Sequence, residues 1–574
     1  MGTITKNTKP KNDKKIRFGI LCNGLSFKAW QVKVIEKLLE SDETELCLLI
    51  INSQIPEKKA FLKKIVYWLE KNFIYKFYTK YFYKPHSTKE IDLSQKFENI
   101  PKMKCSVIMH GKFSEYFSDE DVAFIKNNEL DFMMRFGFNI IRGEILNASK
   151  YGIWSFHHDD EEKYRGGPAG LWEIYNNDPI NGVILQRLTD KLDSGIILKK
   201  GWFETIKHSY QANTDSILYN CSSWPLQICV DIKNGVSDYI AFSPSSSKAK
   251  IYTYPSNIQM LKFISKILVN KIKFHYNELF RTEHWNIGIT KTPLNKIIKS
   301  GISEKEIKWL PAQKSQYFRA DSFAYIYDNK INIFFESFNY KTRKGSISKM
   351  TFSDITGFSD EKLILEKPYH LSYPYIFENN DELFCIPESF ENNQADLYKI
   401  DKSTGHLQFY KTLLENTDAV DSTIVKHDDI WWLFCTKKSN EPNVNLYLYY
   451  SANFDGPYIS HPANPVKSDI RSARPAGIPF VNDNILYRPA QDSSRTYGGK
   501  ITLNKITKLN TFEFKEETVG YVFPINKSKY NLGIHTVCGL GEYTIFDAKK
   551  HTFVSAAFIY HLGRKVKKLC RINK

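Results

Sequence analysis

The chain has 574 residues, including 34 Tyr, 39 Phe and 10 Trp; at roughly 150 residues per domain it divides into about two to four domains rather than one core. Lys and Arg outnumber Asp and Glu by 80 to 63, a formal charge of +17, which suits acidic partners such as nucleotide-sugar phosphates or anionic lipid, or serves solubility alone. Nine scattered cysteines without a C-x-x-C pair argue against a disulfide framework, no apolar run reaches the ~18 residues of a membrane span, and the Lys-rich start has no apolar h-region.

Residues 1–15 read as a disordered basic tail, and a cytoplasmic protein is expected, with contact at the inner membrane face as an option. From Ile16 short apolar runs alternate with helical patterns: Arg17 to Cys22, Leu46 to Asn52, Asp131 to Phe136, Gly152 to Phe156 and Gly182 to Leu188, with an amphipathic stretch from Ala29 to Leu39. This pattern predicts an α/β domain over 16–250 around a parallel, doubly wound sheet, with ligands at the carboxyl ends of its strands. Residues 58–84 interrupt it, mixing Lys63, Lys64, Lys71, Lys76 and Lys80 with Tyr67, Trp68, Phe73, Tyr75, Tyr78 and Tyr81. Two readings stand: a helix lying on a membrane or an acidic lipid-linked acceptor, or an insertion packing its rings on the domain. No nucleic-acid-binding module surrounds it, and no nucleic-acid partner is expected.

His157 follows the Gly152–Phe156 run and precedes a Tyr164-Arg165-Gly166-Gly167 turn; Asp193 sits in a later Leu-Asp-Ser-Gly turn. A histidine at a strand end suits a general base, and a carboxylate can orient and charge-stabilise its imidazolium. The alternative is a solvated loop of His158, Asp159, Asp160, Glu161 and Glu162. A metal site is not expected, because adjacent residues seldom ligate one ion together.

The stretch Arg135-FGF-Asn139, then GIWSFHH, YRG and LDSG, resembles the 10-formyltetrahydrofolate-dependent formyltransferases, among them the methionyl-tRNA and sugar N-formyltransferases. That resemblance implies a Rossmann-like fold, a catalytic His at His157 and a catalytic Asp at Asp193. The family's Asn falls on Ser155, and its Leu-Pro element before YRG is replaced by Asp160 to Lys163. It further implies that 10-formyltetrahydrofolate is the formyl donor, held by Arg135, Phe136, Gly137, Phe138, Tyr164, Arg165, Gly166 and Gly167, and that the acceptor is a nucleotide-linked or lipid-linked amino sugar. Loss of the Asn amide removes an oxyanion donor worth ~3–4 kcal/mol in comparable sites; Arg135, His158 or a water is the expected substitute.

Residues 251–300 are expected to form a helical linker, with Ile258, Leu261, Ile264, Leu268 and Ile272 at helical spacing from Tyr254 to Arg281. Five segments then share one pattern of strand, Asn/Asp turn and aromatic-rich strand: 321–337, 373–389, 421–437, 476–492 and 535–549. A period of roughly 50–60 residues predicts a five-bladed β-propeller over 301–555, followed by a basic tail at 556–574. This part resembles family 43 glycoside hydrolases and the amino-terminal region of plant glucosamine inositolphosphorylceramide transferases, on Ala320-Asp321-Ser322-Phe323, Ile386-Pro387-Glu388-Ser389 and Arg474-Pro475-Ala476-Gly477. The resemblance makes Asp321, Glu388 and Asp421 candidate acids, with Tyr373, Arg474, Arg488 and His535 around a sugar-binding mouth. The same acids can equally cap turns and ladder ends. A glycosyltransferase or glycosidase acting through the propeller, and a non-catalytic glycan-binding protein, stand as alternatives to formyl transfer.

Overall fold

The computed structural model describes residues 14–53, 71–111, 113–191, 195–314 and 316–553. The chain forms two compact units, one ending at Ile272 and one beginning at Lys273.

The first unit is built on a seven-stranded sheet: β1 (Ile16–Cys22), β2 (Thr44–Asn52), β3 (Lys102–Cys105), β4 (Phe132–Arg135), β5 (Ile153–His157), β6 (Ile180–Arg187) and β7 (Ile196–Glu204). Their order across the sheet is β7-β6-β5-β4-β1-β2-β3. The five strands from β5 to β3 run parallel, while β6 pairs antiparallel with both β5 and β7. The central strands are apolar on both faces, as expected where both are covered: Phe18, Ile20 and Leu21 of β1 and Phe132, Met133 and Met134 of β4 are fully buried. The helix Ala29–Leu39 buries Trp30, Val34, Ile35 and Leu38. Strand order reverses beside β1, between β2 and β4. In such sheets the crevice at that reversal, at the strands' carboxyl ends, holds the ligand, and Arg135 is the last residue of β4.

Residues 58–70 of the basic-aromatic insertion lie outside the described residues, as do the tails at 1–13 and 554–574. The helix Phe73–Tyr81 puts Tyr75 and Tyr78 against the buried cluster of Tyr164, Trp172, Tyr210, Met260 and Phe263 and leaves Phe77 and Tyr81 exposed. The stretch expected as a linker serves both units. Residues Ile251–Tyr252 pair with Arg165–Gly166, the helix Asn257–Phe280 packs Met260 and Phe263 into the first unit, and Arg281–Thr290 is a strand of the second.

The second unit is all-β. Four antiparallel sheets follow one another, covering 317–365, 372–414, 419–468 and 480–522. The fifth joins Arg281–Thr290 to the last described strand, Tyr543–Phe553, across ten paired positions, so the start and end of the unit close one sheet. This is how a propeller ring is sealed and its free edges removed.

The first strands of three sheets carry the same irregularity. Pairing slips by a bulge between Ala320 and Phe323, Ser372 and Tyr375, and Val420 and Thr423. Within each bulge one residue takes a left-handed backbone: Asp321 (φ 55°), Tyr373 (φ 41°) and Asp421 (φ 52°). Such backbones cost on the order of 1–3 kcal/mol and persist only when neighbours over-determine them. Here each N–H donates to a polar group of another sheet or of the preceding bulge: Asp321 to Asp547 Oδ2 at 2.9 Å, Tyr373 to Asp321 Oδ2 at 3.3 Å and Asp421 to Glu388 Oε2 at 3.0 Å. Gly477 at φ 139° donates to the Tyr373 hydroxyl at 3.0 Å, and a Cβ there would lie 1.9 Å from the Val537 carbonyl.

Candidate functional sites

In the first unit, residues two apart on a strand share a face, so Ser155 and His157 of β5 point the same way. With Arg135 from the adjacent strand they line a cavity of about 200 Å³, walled by Asn139, Ile140, Ile141, Arg142, Gln186, Leu188, Thr189 and Lys191. Arg135 Nη1 donates to Ser155 Oγ at 3.1 Å, while Nη2 donates to the carbonyls of Phe138 at 3.1 Å and Asn139 at 2.5 Å. A hydroxyl that accepts from a guanidinium keeps its own proton for donation. His157 Nε2–H donates to the Tyr164 carbonyl at 3.3 Å, which leaves Nδ1 as the basic nitrogen.

His158 is not part of this cavity. It is half-buried, 5.0 Å from the Trp30 ring and 3.7 Å from Cys221 Sγ, and desolvation followed by the charge of His157 pushes it down to about 3; it packs on these groups and does not reach the cavity wall where an oxyanion donor would act. Asp159 and Glu173 form a buried acid pair beside His157. Burial raises Asp159 to about 6 against the opposing charge of His157 and a 2.9 Å hydrogen bond from Gly170 N. Glu173 is raised well above the usual carboxylate range by burial and by Asp159, so one proton stays with the pair at neutral pH. Asp160 and Glu161 do not form a solvated loop: both are buried and held by Lys200 Nζ at 2.9 and 3.0 Å.

The residues expected to hold the donor divide. Arg135 lines the cavity. Phe136 instead packs edge-on against Phe27 and Trp30. Gly137 is required by close approach, since a Cβ would sit 2.6 Å from Asn23 Oδ1 and 2.7 Å from its backbone nitrogen. Phe138 is buried with its N–H on Asn23 Oδ1. Arg165 and Gly166 form a two-residue bridge with Ile251 and Tyr252, and Gly167 N donates to the Tyr252 carbonyl. The turn therefore supports the His157 side of the site through the Tyr164 carbonyl and does not line the cavity. Asp193 lies outside the described residues; Lys191 and Gly195 line the cavity.

The second unit holds a cavity of about 540 Å³ to which all five sheets or their connecting loops contribute. Asp321, Glu336, Glu388, Arg474, His370 and His535 supply its polar wall, and Trp285, Phe318, Phe338, Phe390 and Tyr497 its rings. His535 Nε2 is 3.0 Å from Asp321 Oδ1 and Nδ1 is 2.8 Å from Asp547 Oδ2. Burial would lower the imidazole, but Asp547 and Asp321 outweigh it and raise it to about 10. Burial would likewise raise Asp321, yet His535, Arg474 and Thr536 hold it below the usual value. Asp321, His535 and Asp547 are close enough to share an ion, but an imidazolium within ion-pair distance of both already balances these carboxylates.

Arg474 donates Nε to Asp421 Oδ2 at 2.5 Å and reaches Glu388 Oε2 at 4.0 Å, with its guanidinium over the Tyr497 ring. Asp421 is thus tied down beneath Arg474, 1% exposed and off the cavity wall. Burial, opposed by Arg474 and reinforced by Glu388 and Asp321, raises it. Tyr373 is also off the wall, its hydroxyl 3.1 Å from Thr423 Oγ1. Arg488 is elsewhere: fully buried, it pairs with Glu516 through Nε at 3.0 Å and Nη2 at 2.6 Å.

Glu336, Tyr497 and Asp547 were not legible as site residues one at a time. The repeat register marks Glu336: it pairs with Ala320 as Glu388 pairs with Ser372 and Thr436 with Val420. Burial, then Asp321 and Glu388, raise it well above the carboxylate range, which favours its protonated form inside the cavity.

Residues 307–537 match the family described as "Glucosamine inositolphosphorylceramide transferase 1, N-terminal". The chain is 35% identical over 209 residues to glucosamine inositolphosphorylceramide transferase 1 of Oryza sativa subsp. japonica, covering 35% of this chain and 28% of that protein. It is 33% identical over 221 residues to the Arabidopsis thaliana protein, covering 37% and 29%. The chain thus spans less than a third of these curated relatives. A more distant similarity is to methionyl-tRNA formyltransferase of Agathobacter rectalis, 25% over 128 residues, covering 22% of this chain and 40% of that one. Among solved structures, a family 117 glycoside hydrolase from Zobellia galactanivorans covers 47% of this chain at 12% identity, with a TM-score of 0.30.

Proposed function

We propose that the protein is a glycan-modifying enzyme whose first unit transfers a formyl group to the amine of an activated or lipid-linked amino sugar, while its propeller holds the glycan part. One observation carries the reading: Arg135, Ser155 and His157, from adjacent strand ends at the reversal of a parallel sheet, line one cavity, with Arg135 donating to the Ser155 hydroxyl. The similarity to methionyl-tRNA formyltransferases supports it.

The cavity suits a formyl donor of the folate type. Ile140, Ile141 and Leu188 offer apolar surface to a flat ring, Asn139 and Gln186 offer polar edges, and the Arg135 Nε is buried without a hydrogen-bond partner among the described residues. 10-Formyltetrahydrofolate would supply the formyl carbon there. His157 Nδ1 takes the proton that the attacking amine loses and returns it to N10 of the folate as the N10–formyl bond breaks. Arg135 and the Ser155 hydroxyl face the carbonyl oxygen as it gains charge, the work the family's Asn amide does. The Asp159–Glu173 pair keeps negative charge near the imidazolium that results. Asp193 is the family's orienting carboxylate, and its role here is part of the proposal.

The propeller reading is binding. Asp321 and Asp421 are engaged by His535 and Arg474, and a cavity of about 540 Å³ with aromatic walls suits one or two sugar rings. Eight described cysteines are unpaired, in keeping with a reducing, cytoplasmic setting. The test is formylation with 10-formyltetrahydrofolate and a panel of nucleotide amino sugars. His157→Ala is expected to abolish transfer and leave glycan binding intact. Full formylation by that variant would overturn the reading. Glycoside cleavage lost in Asp321→Asn and kept in His157→Ala would move the chemistry to the propeller.

A further inference from the structure

We propose that the helix Asn257–Phe280 docks on an anionic lipid bilayer through its outward face. The apolar residues at helical spacing in this segment would ordinarily face a core. The structure turns most of them outward: Ile258 is 81% exposed, Leu261 58%, Leu268 56% and Ile272 70%. The opposite face does the packing, with Met260 and Phe263 fully buried and Ile264 and Ile267 against the same cluster. The helix therefore carries two apolar faces, one of them uncovered over four turns.

Charge decides among occupants. Lys262, Lys266, Lys271 and Lys273 stand along this helix, and no Asp or Glu occurs from 257 to 277. Lys262 and Lys266 are anchored at the edge of the outward face by the Tyr175 ring, at 5.2 and 5.3 Å, while Lys271 and Lys273 are exposed. A second copy would bring these lysines against lysines, with Glu278 the one carboxylate on the helix and already beside His275, whereas an anionic surface attracts all four. An apolar stripe bordered by lysines is the composition of a helix lying in a membrane interface. With four lysines the segment is not a span, and no described helix is long and apolar enough to cross a membrane. A second observation lies on the neighbouring helix Phe73–Tyr81, which packs Tyr78 on Phe263 at 6.5 Å and exposes Phe77, Tyr81 and the following Phe82 as one ring cluster. Aromatic rings of this kind settle at the headgroup level. This inference does not depend on the chemistry of either cavity.

The experiment is co-sedimentation of the full chain with vesicles of phosphatidylcholine alone and with phosphatidylglycerol added. Binding at least about tenfold stronger to the anionic vesicles is expected, falling as salt is raised. Leu261→Glu with Leu268→Glu should abolish it while the unfolding midpoint and near-ultraviolet circular dichroism stay unchanged, because both side chains are solvent-exposed. Lys271→Gln with Lys273→Gln should weaken binding about tenfold and flatten its salt dependence. Equal binding to both vesicles, none to either, or retention by the double-Glu chain would overturn the proposal. So would a concentration-dependent dimer in analytical ultracentrifugation that Leu268→Glu dissociates, which would assign the face to a second copy.

Discussion

His535 stands with Nε2 3.0 Å from Asp321 Oδ1, and its other nitrogen is 2.8 Å from Asp547 Oδ2. Two carboxylates raise this imidazole to about 10, so it is charged in the folded propeller at pH 7 and largely neutral in the unfolded chain. A group whose pKa rises on folding contributes fully below its unfolded value, near 6.5, and loses that contribution as pH climbs toward its folded value. Propeller stability should therefore fall between about pH 6.5 and pH 10. Asp547→Asn should lower the unfolding midpoint at pH 7 and shrink that alkaline decline. Denaturant melts across this range check it, and a wild-type midpoint flat to pH 10 would contradict the charged imidazole.

Arg488 belongs to the fold and not to the mouth. Its paired hydrogen bonds to Glu516 are fully buried, and removing one partner of such a pair costs about 3–5 kcal/mol. Arg488→Met should cost stability of that order while glycan affinity, measured by calorimetry below the melting range, stays within about twofold of the native chain.

In the proposed formyl transfer, Arg135 and Ser155 would divide the work of one missing amide. Ser155→Ala removes a hydroxyl without disturbing the loop and should lower kcat by about tenfold or more with KM unchanged. Arg135→Met also unties the Phe138 and Asn139 carbonyls; it should lower kcat by about 10²–10³, the loss typical of an oxyanion donor, together with the unfolding midpoint. Steady-state formylation kinetics beside thermal melts separate the two. Equal kcat in Ser155→Ala and the native chain would leave Arg135 as the sole donor.

The sequence carried the order of elements well. Period-2 and period-3.6 patterns located the strand ends that bear Arg135 and His157, and the repeat located Asp321, Glu388 and Asp421, because both signals are local. What it could not carry is which side a residue faces once tertiary contacts choose. Arg488, read as a cation at a sugar mouth, found Glu516 two strands away in the same sheet. Phe136 and Phe138 pack against Phe27, Trp30 and Phe117 instead of lining the donor pocket they were expected to shape, and Ile258 and Leu268 lie outward because Met260 and Phe263 take the core. The acids of 160–161, which look solvated in sequence, are buried because Lys200 on β7 meets them. Glu336 was readable only by aligning the repeats in register, since its meaning comes from the place it shares with Glu388.

That shared place leads to a contrast between two substitutions of the same kind. Glu336 lies among Asp321, Glu388 and Asp421 and is raised well above the carboxylate range by burial and then by these neighbours, which favours its protonated form in the fold. An acid raised on folding favours the folded state at low pH and loses that advantage as pH rises above its unfolded value. Glu336→Gln keeps shape and neutrality, abolishes the loss, and should leave the unfolding midpoint at pH 7 unchanged or higher. Asp321 is the reverse case: held below the usual value against burial by His535, Arg474 and Thr536, it is charged, and Asp321→Asn leaves His535 with one carboxylate and should cost about 3 kcal/mol or more. Chemical denaturation of both variants at pH 6 and pH 8 tests the pair of signs. Destabilisation by Glu336→Gln equal to that of Asp321→Asn would mean that Glu336 is ionised in the fold and that the cavity holds one more negative charge than its geometry can balance.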